Sequence, residues 1–151
     1  MTRWPLPPPM RRALDLAAEA AVAGEVPVGA VIVKHGEIIG EGRNAPRASA
    51  DPTAHAEIAA IRQAATTLGN ERLTDCEIWV TLEPCAMCAG AIAHARIAKL
   101  YYAAPDPKGG AVERGARIFD QLQCLHRPEV YSGMGEEEAA RLLREFFAAR
   151  R

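Results

Sequence analysis

The run from Glu77 to Ala103 constrains the fold more than any other part of the chain. Glu77 to Leu82 reads as a buried strand, Pro84 starts a small-residue helix from Cys85 to about His94, and Lys99 to Ala103 reads as a further strand. Strand, helix and strand in that order imply a parallel crossover. Ahead of it, Val28 to Val33 and Glu37 to Gly42 are β-rich runs around Lys34-His35-Gly36, a three-residue connection ending in glycine that suits an antiparallel hairpin. The sheet is therefore expected to be mixed.

The remaining segments supply helices for both faces. Met10 to Ala23 repeats its apolar side chains at helical spacing and is closed by Gly24. After an exposed loop from Arg43 to Asp51, the triplet Asp51-Pro52-Thr53 offers two caps and a first-turn proline to a helix running through about Thr67 and ending near Gly69-Asn70. Asp106 to Gly110 is a turn, Val112 to Leu122 is weakly helical, and Glu129 to Tyr131 is a short strand. Glu136 to Arg150 closes the chain as a helix, with Ala139, Leu142, Leu143, Phe146 and Phe147 on one side. The order predicts a three-layer α/β/α sandwich with a mixed, mostly five-stranded sheet. With 151 residues, 49% of them hydrophobic, a single domain over residues 1–151 is expected.

Charge and composition narrow the function classes. Lys plus Arg total 18 and Asp plus Glu 19, a net charge of -1, which argues against a strongly basic nucleic-acid domain while leaving local patches open. No stretch approaches a membrane span, and Met1 to Pro9 is Pro-rich where a secretory signal needs an apolar run, so no membrane association and a cytoplasmic location are expected. The cysteines are Cys76, Cys85, Cys88 and Cys124; their number permits two disulfides, but the Cys85-x-x-Cys88 spacing favours metal or redox chemistry. Cys76 and Cys124 read as small buried apolar residues, and His35, His94 and His126 have no partner spacing for a metal.

Two segments belong together: His55-Ala56-Glu57 at one helix start and Pro84-Cys85-Ala86-Met87-Cys88 at another. Cys85 and Cys88, three apart, share a helix face, and helix-start amides favour the thiolate that binds metal. His55, Cys85 and Cys88 make three ligands, whereas a structural zinc site almost always closes with four, so one position stays open for water. Two thiolates cancel the formal charge of the ion and leave it a weaker acidifier of water, which makes a neighbouring base necessary; Glu57 is the candidate for it. Residues two apart on an ideal helix point about 200° apart, so His55 and Glu57 can face one metal only at a frayed first turn.

These segments, with Glu25-Val26-Pro27-Val28-Gly29-Ala30, Gly40-Glu41-Gly42-Arg43-Asn44 and Val80-Thr81-Leu82-Glu83, resemble the zinc-dependent cytidine deaminase superfamily and, over nearly the whole chain, its bacterial tRNA-specific adenosine deaminases. The resemblance implies a cytidine deaminase-like fold and hydrolytic conversion of the anticodon wobble adenosine to inosine with zinc-activated water. One Zn2+ per subunit would sit on His55, Cys85 and Cys88, with Glu57 moving protons. It further implies a homodimer on a tRNA anticodon stem-loop, with Asn44 contacting the nucleoside, Val28 and the Ala56 amide lining the base pocket, Asp106 and Lys108 beside the RNA backbone and Phe147 near the substrate. After Gly110 the chain departs from the family's usual small-residue stretch, reading Ala111-Val112-Glu113-Arg114-Gly115. Two alternatives stay open: a deaminase of free guanine, cytosine or cytidine, which the same zinc site would serve, and a noncatalytic zinc or redox module.

Overall fold

The computed structural model describes residues 5–150; residues 1–4 and 151, to which the expected domain extends, lie outside it. Its strands are β1 (Gly29–Lys34), β2 (Glu37–Arg43), β3 (Cys76–Leu82), β4 (Lys99–Ala104) and β5 (Glu129–Ser132). They form one sheet in the order β2-β1-β3-β4-β5. β1 runs antiparallel to both β2 and β3, whereas β3, β4 and β5 are mutually parallel, so the mixed sheet and the crossover both match expectation. The helices are α1 (Pro8–Val22), α2 (Ala56–Leu68), α3 (Ala86–His94) and α4 (Glu136–Ala148).

Alternation along the central strands divides the core. Ala30 and Ile32 of β1, Ile78 and Val80 of β3 and Leu100 and Tyr102 of β4 point to one face, where Ala56, Ala60 and Ala64 of α2 and Ala89 and Ile92 of α3 cover them. Val31 and Val33, Trp79 and Ala103 point to the other, under Met10, Ala13 and Leu14 of α1 and Ala139 of α4. Both faces are buried, which is why these strands read as unbroken apolar runs. Among the described residues no helix is long and apolar enough to cross a membrane.

Local physics shifted several boundaries. The β1–β2 connection is two residues, not three: His35 and Gly36 take φ of +49° and +81°, the positive pair that a tight two-residue hairpin turn requires. Asp51 and Thr53 do not cap α2, and Pro52 stays in the loop; the Asp51 carboxylate accepts instead from the amide and hydroxyl of Thr53 at 2.8 and 2.7 Å. Val112 to Leu122 is not helical beyond the short 3-10 turn Ile118–Asp120, because Gly115 and Arg117 hold positive φ, outside the right-handed helical region. Cys124 is only half-buried, whereas Cys76 is fully buried as expected.

The position of α2 depends on β2 having almost no side-chain thickness where they meet. A Cβ on Gly42 would lie 2.2 Å from the Ala56 carbonyl oxygen and 2.7 Å from the Ala60 amide, against ordinary contact at 3.4 Å or more. Gly42→Ala must therefore push the start of α2 outward. It is expected to lower stability by about 1–3 kcal/mol, the usual cost of overpacking, read by denaturant unfolding of the purified variant.

Candidate active site

Two helix N-termini meet at one end of the sheet. His55 is the N-cap of α2 and Cys85 the N-cap of α3, each in extended backbone with φ, ψ of −79°, 154° and −74°, 177°. An N-cap side chain ordinarily bonds an amide of its own first turn, but neither of these does. They turn toward each other: the His55 Nδ1 lies 3.6 Å from Cys85 Sγ and 3.5 Å from Cys88 Sγ. The extended backbone at His55 resolves the helical-geometry conflict, because the imidazole leaves from outside the helix while Glu57 leaves from within it. Cys85 likewise stands before α3, so the two thiols converge without sharing a helix face.

The trio fits a metal. Its ligand atoms all lie within 4.8 Å of one another, and tetrahedral zinc bonds of about 2.3 Å to sulfur and about 2.0–2.1 Å to nitrogen would set S···N at about 3.6 Å. The protonation pattern agrees with that chemistry. The hydrogen bond from Cys88, helped by His55, holds the Cys85 thiol down at about 4, while the Cys88 thiol is pushed far above its usual value by that same partner and by burial. His55 is raised by its hydrogen bond to Cys85. One thiolate is preformed, and a divalent cation would displace the proton that the pair shares.

Glu57 is 4% exposed, and burial pushes its carboxyl up to about 7. A carboxyl poised near neutrality and interacting with Cys85, Cys88 and His55 is suited to taking and returning a proton. Asn44 and Ala56, each expected to face substrate, are bonded to one another: the Asn44 Oδ1 accepts the Ala56 amide at 3.3 Å. Val28 is buried close by and accepts the Asn44 amide on its carbonyl at 3.1 Å.

An open cleft of about 710 Å³ is lined by Val26, Leu82, Asp106, Lys108, Phe147 and Arg150, among others. Asp106, Lys108 and Phe147 are thus brought together, with Phe147 47% exposed while its neighbour Phe146 is buried. The Asp106 carboxylate is turned into its own loop, where Oδ1 accepts from the amides of Lys108 and Gly109 at 3.1 and 3.0 Å. Sequence reasoning missed Arg150, whose guanidinium lies 3.5 Å over the Phe146 ring. It also passed over two buried carboxylates. Glu25 accepts from the amides of Arg47 and Ala48 and so holds the loop that follows Asn44. Glu83 binds the loop after Asp106. The available signal was a glutamate closing an apolar strand.

A five-stranded mixed sheet with one His/Cys/Cys cluster shared by two helix N-termini places the molecule among the deaminases, enzymes acting on C–N bonds, and the model of the MafB19-like deaminase family matches residues 8–151. The tRNA-specific adenosine deaminase of Agrobacterium fabrum is 54% identical over 142 residues, covering 94% of this chain and 93% of that one. A solved structure described as a tRNA:A34 deaminase performing A-to-I editing at the wobble position superposes with a TM-score of 0.88 at 54% identity, covering 89% of this chain and 98% of the other. A solved structure of a guanine deaminase from Bacillus subtilis is 41% identical with a TM-score of 0.63, covering 94% of this chain and 91% of the other. The chain belongs to the family of the tRNA-specific adenosine deaminases.

Proposed function

We propose that this chain, one deaminase domain over residues 1–151, converts adenosine to inosine at the wobble position of a tRNA anticodon by hydrolysis, with release of ammonia. His55, Cys85 and Cys88 hold one zinc ion per subunit. When bound, zinc supplies the Lewis acid that makes water a nucleophile near neutral pH. Glu57 takes one proton from the attacking water as oxygen adds at C6 and passes it to the ring nitrogen, then takes the second proton from the new C6 hydroxyl and delivers it to the amine as the C6–N bond breaks, leaving a carbonyl and ammonia. The buried Glu57 beside the trio carries the reading, since a purely structural site has no need of a base at an open coordination position.

The choice of substrate rests on the 54% likeness to a tRNA-specific adenosine deaminase against 41% to a guanine deaminase. Val28 and Ala56 line the base pocket, with Asn44, whose Oδ1 accepts the Ala56 amide, on the nucleoside. Asp106 and Lys108 lie along the RNA backbone and Phe147 beside a base. A stacked base hides C6, so the target must be splayed from its loop, which a single-stranded anticodon allows. The enzyme works as a cytoplasmic homodimer; Leu122 and Leu125, 96% and 83% exposed, give it apolar surface to cover, with Leu125 beside Gly90 and Ala93 of α3.

The test is ammonia release from an anticodon stem-loop bearing wobble adenosine, and separately from free adenosine, guanine, cytosine and cytidine. Product from the RNA alone is expected, with kcat/KM falling as salt rises because phosphate contacts release counterions. Turnover of guanine with none of the stem-loop would transfer the activity to a free base, and a flat salt response would remove RNA as the partner.

A further inference from the structure

Glu83 lies between the end of β3 and the metal-site turn, and its side chain is 0% exposed. Both carboxylate oxygens are fully used. Oε1 accepts the Asp106 amide at 3.1 Å and the Arg114 guanidinium at 3.0 Å; Oε2 accepts the amides of Val112 and Glu113 at 3.2 and 2.9 Å. The same loop is tied to the next residue by the Ala111 amide, which donates to the Pro84 carbonyl at 2.9 Å. Gly110 is packed so closely that a Cβ there would lie 2.6 Å from the Glu83 carboxyl carbon and from Oε1. Arg114 also donates to the Tyr102 hydroxyl, which itself donates to Glu113.

A buried carboxylate left unpaired is costly, so one that collects three backbone amides and a guanidinium specifies the path of the segment carrying them. That segment holds Asp106 to Gly109, one wall of the cleft, while two residues after Glu83 comes Cys85. We infer that Glu83 is a positioning residue for the reaction: its carboxylate sets the register between the wall that receives the nucleic acid and the turn that carries the metal. This rests on the function proposed above. Within the departing stretch Ala111-Val112-Glu113-Arg114 it accounts for Arg114, the one residue there whose side chain donates to the carboxylate; the Val112 and Glu113 donors are backbone amides.

Glu83→Gln keeps the shape but turns an NH2 group, itself a donor, toward N–H groups that cannot accept from it. In the zinc-loaded protein, amide hydrogen exchange over residues 106–114 is expected to rise at least tenfold. Exchange in β3 and β4 and the zinc content should stay at wild-type values. On the anticodon stem-loop KM is expected to rise at least tenfold, with a smaller fall in kcat. Gly110→Ala, which pushes the loop off the carboxylate without altering it, should reproduce both effects and serves if Glu83→Gln does not fold; Arg114→Ala should give a weaker version. Unchanged exchange in the loop, or loosened exchange with KM unchanged, overturns the inference. Failure of the wild type to deaminate the stem-loop would sink the proposed substrate, and with it the role in RNA binding, while the exchange measurement would still decide whether Glu83 anchors the loop.

Discussion

Glu57→Gln is expected to leave a folded, fully metallated protein whose turnover on the anticodon stem-loop has fallen by at least the roughly 10²-fold that loss of a general acid-base group costs. The amide has the carboxylate's size and shape, so the packing around it in α2 is kept, and it cannot accept or return a proton. Folding should not suffer. Burial already drives the Glu57 carboxyl up to about 7, which means that the surroundings disfavour its charge, and a neutral amide removes that penalty. Metal content should persist because the trio places His55 Nδ1 at 3.5 and 3.6 Å from the two sulfurs without Glu57. Metal analysis beside single-turnover kinetics separates the two roles: retained turnover removes Glu57 from proton transfer, whereas lost metal recasts it as a ligand.

Much of this arrangement was legible from residues. The crossover from β3 through α3 to β4, the hairpin and the two-sided core follow from apolar alternation and from punctuation by Pro84, Gly36 and Gly24, which are local signals. The approach of His55, Cys85 and Cys88 could be inferred because metal chemistry demands donors together even when thirty residues separate them in the chain. What escaped was decided by tertiary accommodation. Asp51 and Thr53 are good caps in isolation, yet His55 takes the N-cap position because its extended backbone points the imidazole at the thiols. Residues Val112 to Leu122 carry a weak helical pattern, but the Glu83 carboxylate claims the Val112 and Glu113 amides and Gly115 turns the chain with φ of +58°. The mutual bond of Asn44 and Ala56 likewise joins residues twelve apart, and no period records it.

Metal affinity should weaken at least tenfold as pH falls from 7.5 to 6.5, and the sign follows from the protons that the trio holds. Binding needs two thiolates and a neutral imidazole. Cys85, held near 4 by the hydrogen bond from Cys88 and by His55, is already ionised throughout that range. Cys88 is not, because its thiol is pushed far up, so each ion bound must expel the Cys88 proton; below that pKa each unit of pH lost costs a factor of ten, about 1.4 kcal/mol. His55, raised by Cys85, adds a second proton to expel at the acid end and steepens the slope. Competition against a chromophoric chelator at pH 6.5, 7.5 and 8.5 reads this directly, and a pH-independent affinity would mean that the thiols are not the donors. Stripping the ion should abolish turnover, with zinc restoring it, yet leave the sheet intact by circular dichroism, because both apolar clusters are built from side chains of helices and strands that need no ion to meet. Cys88→Ala should lose the ion permanently, and its Cys85 thiol should climb back toward an ordinary value once the neighbouring S–H that stabilised the thiolate is gone.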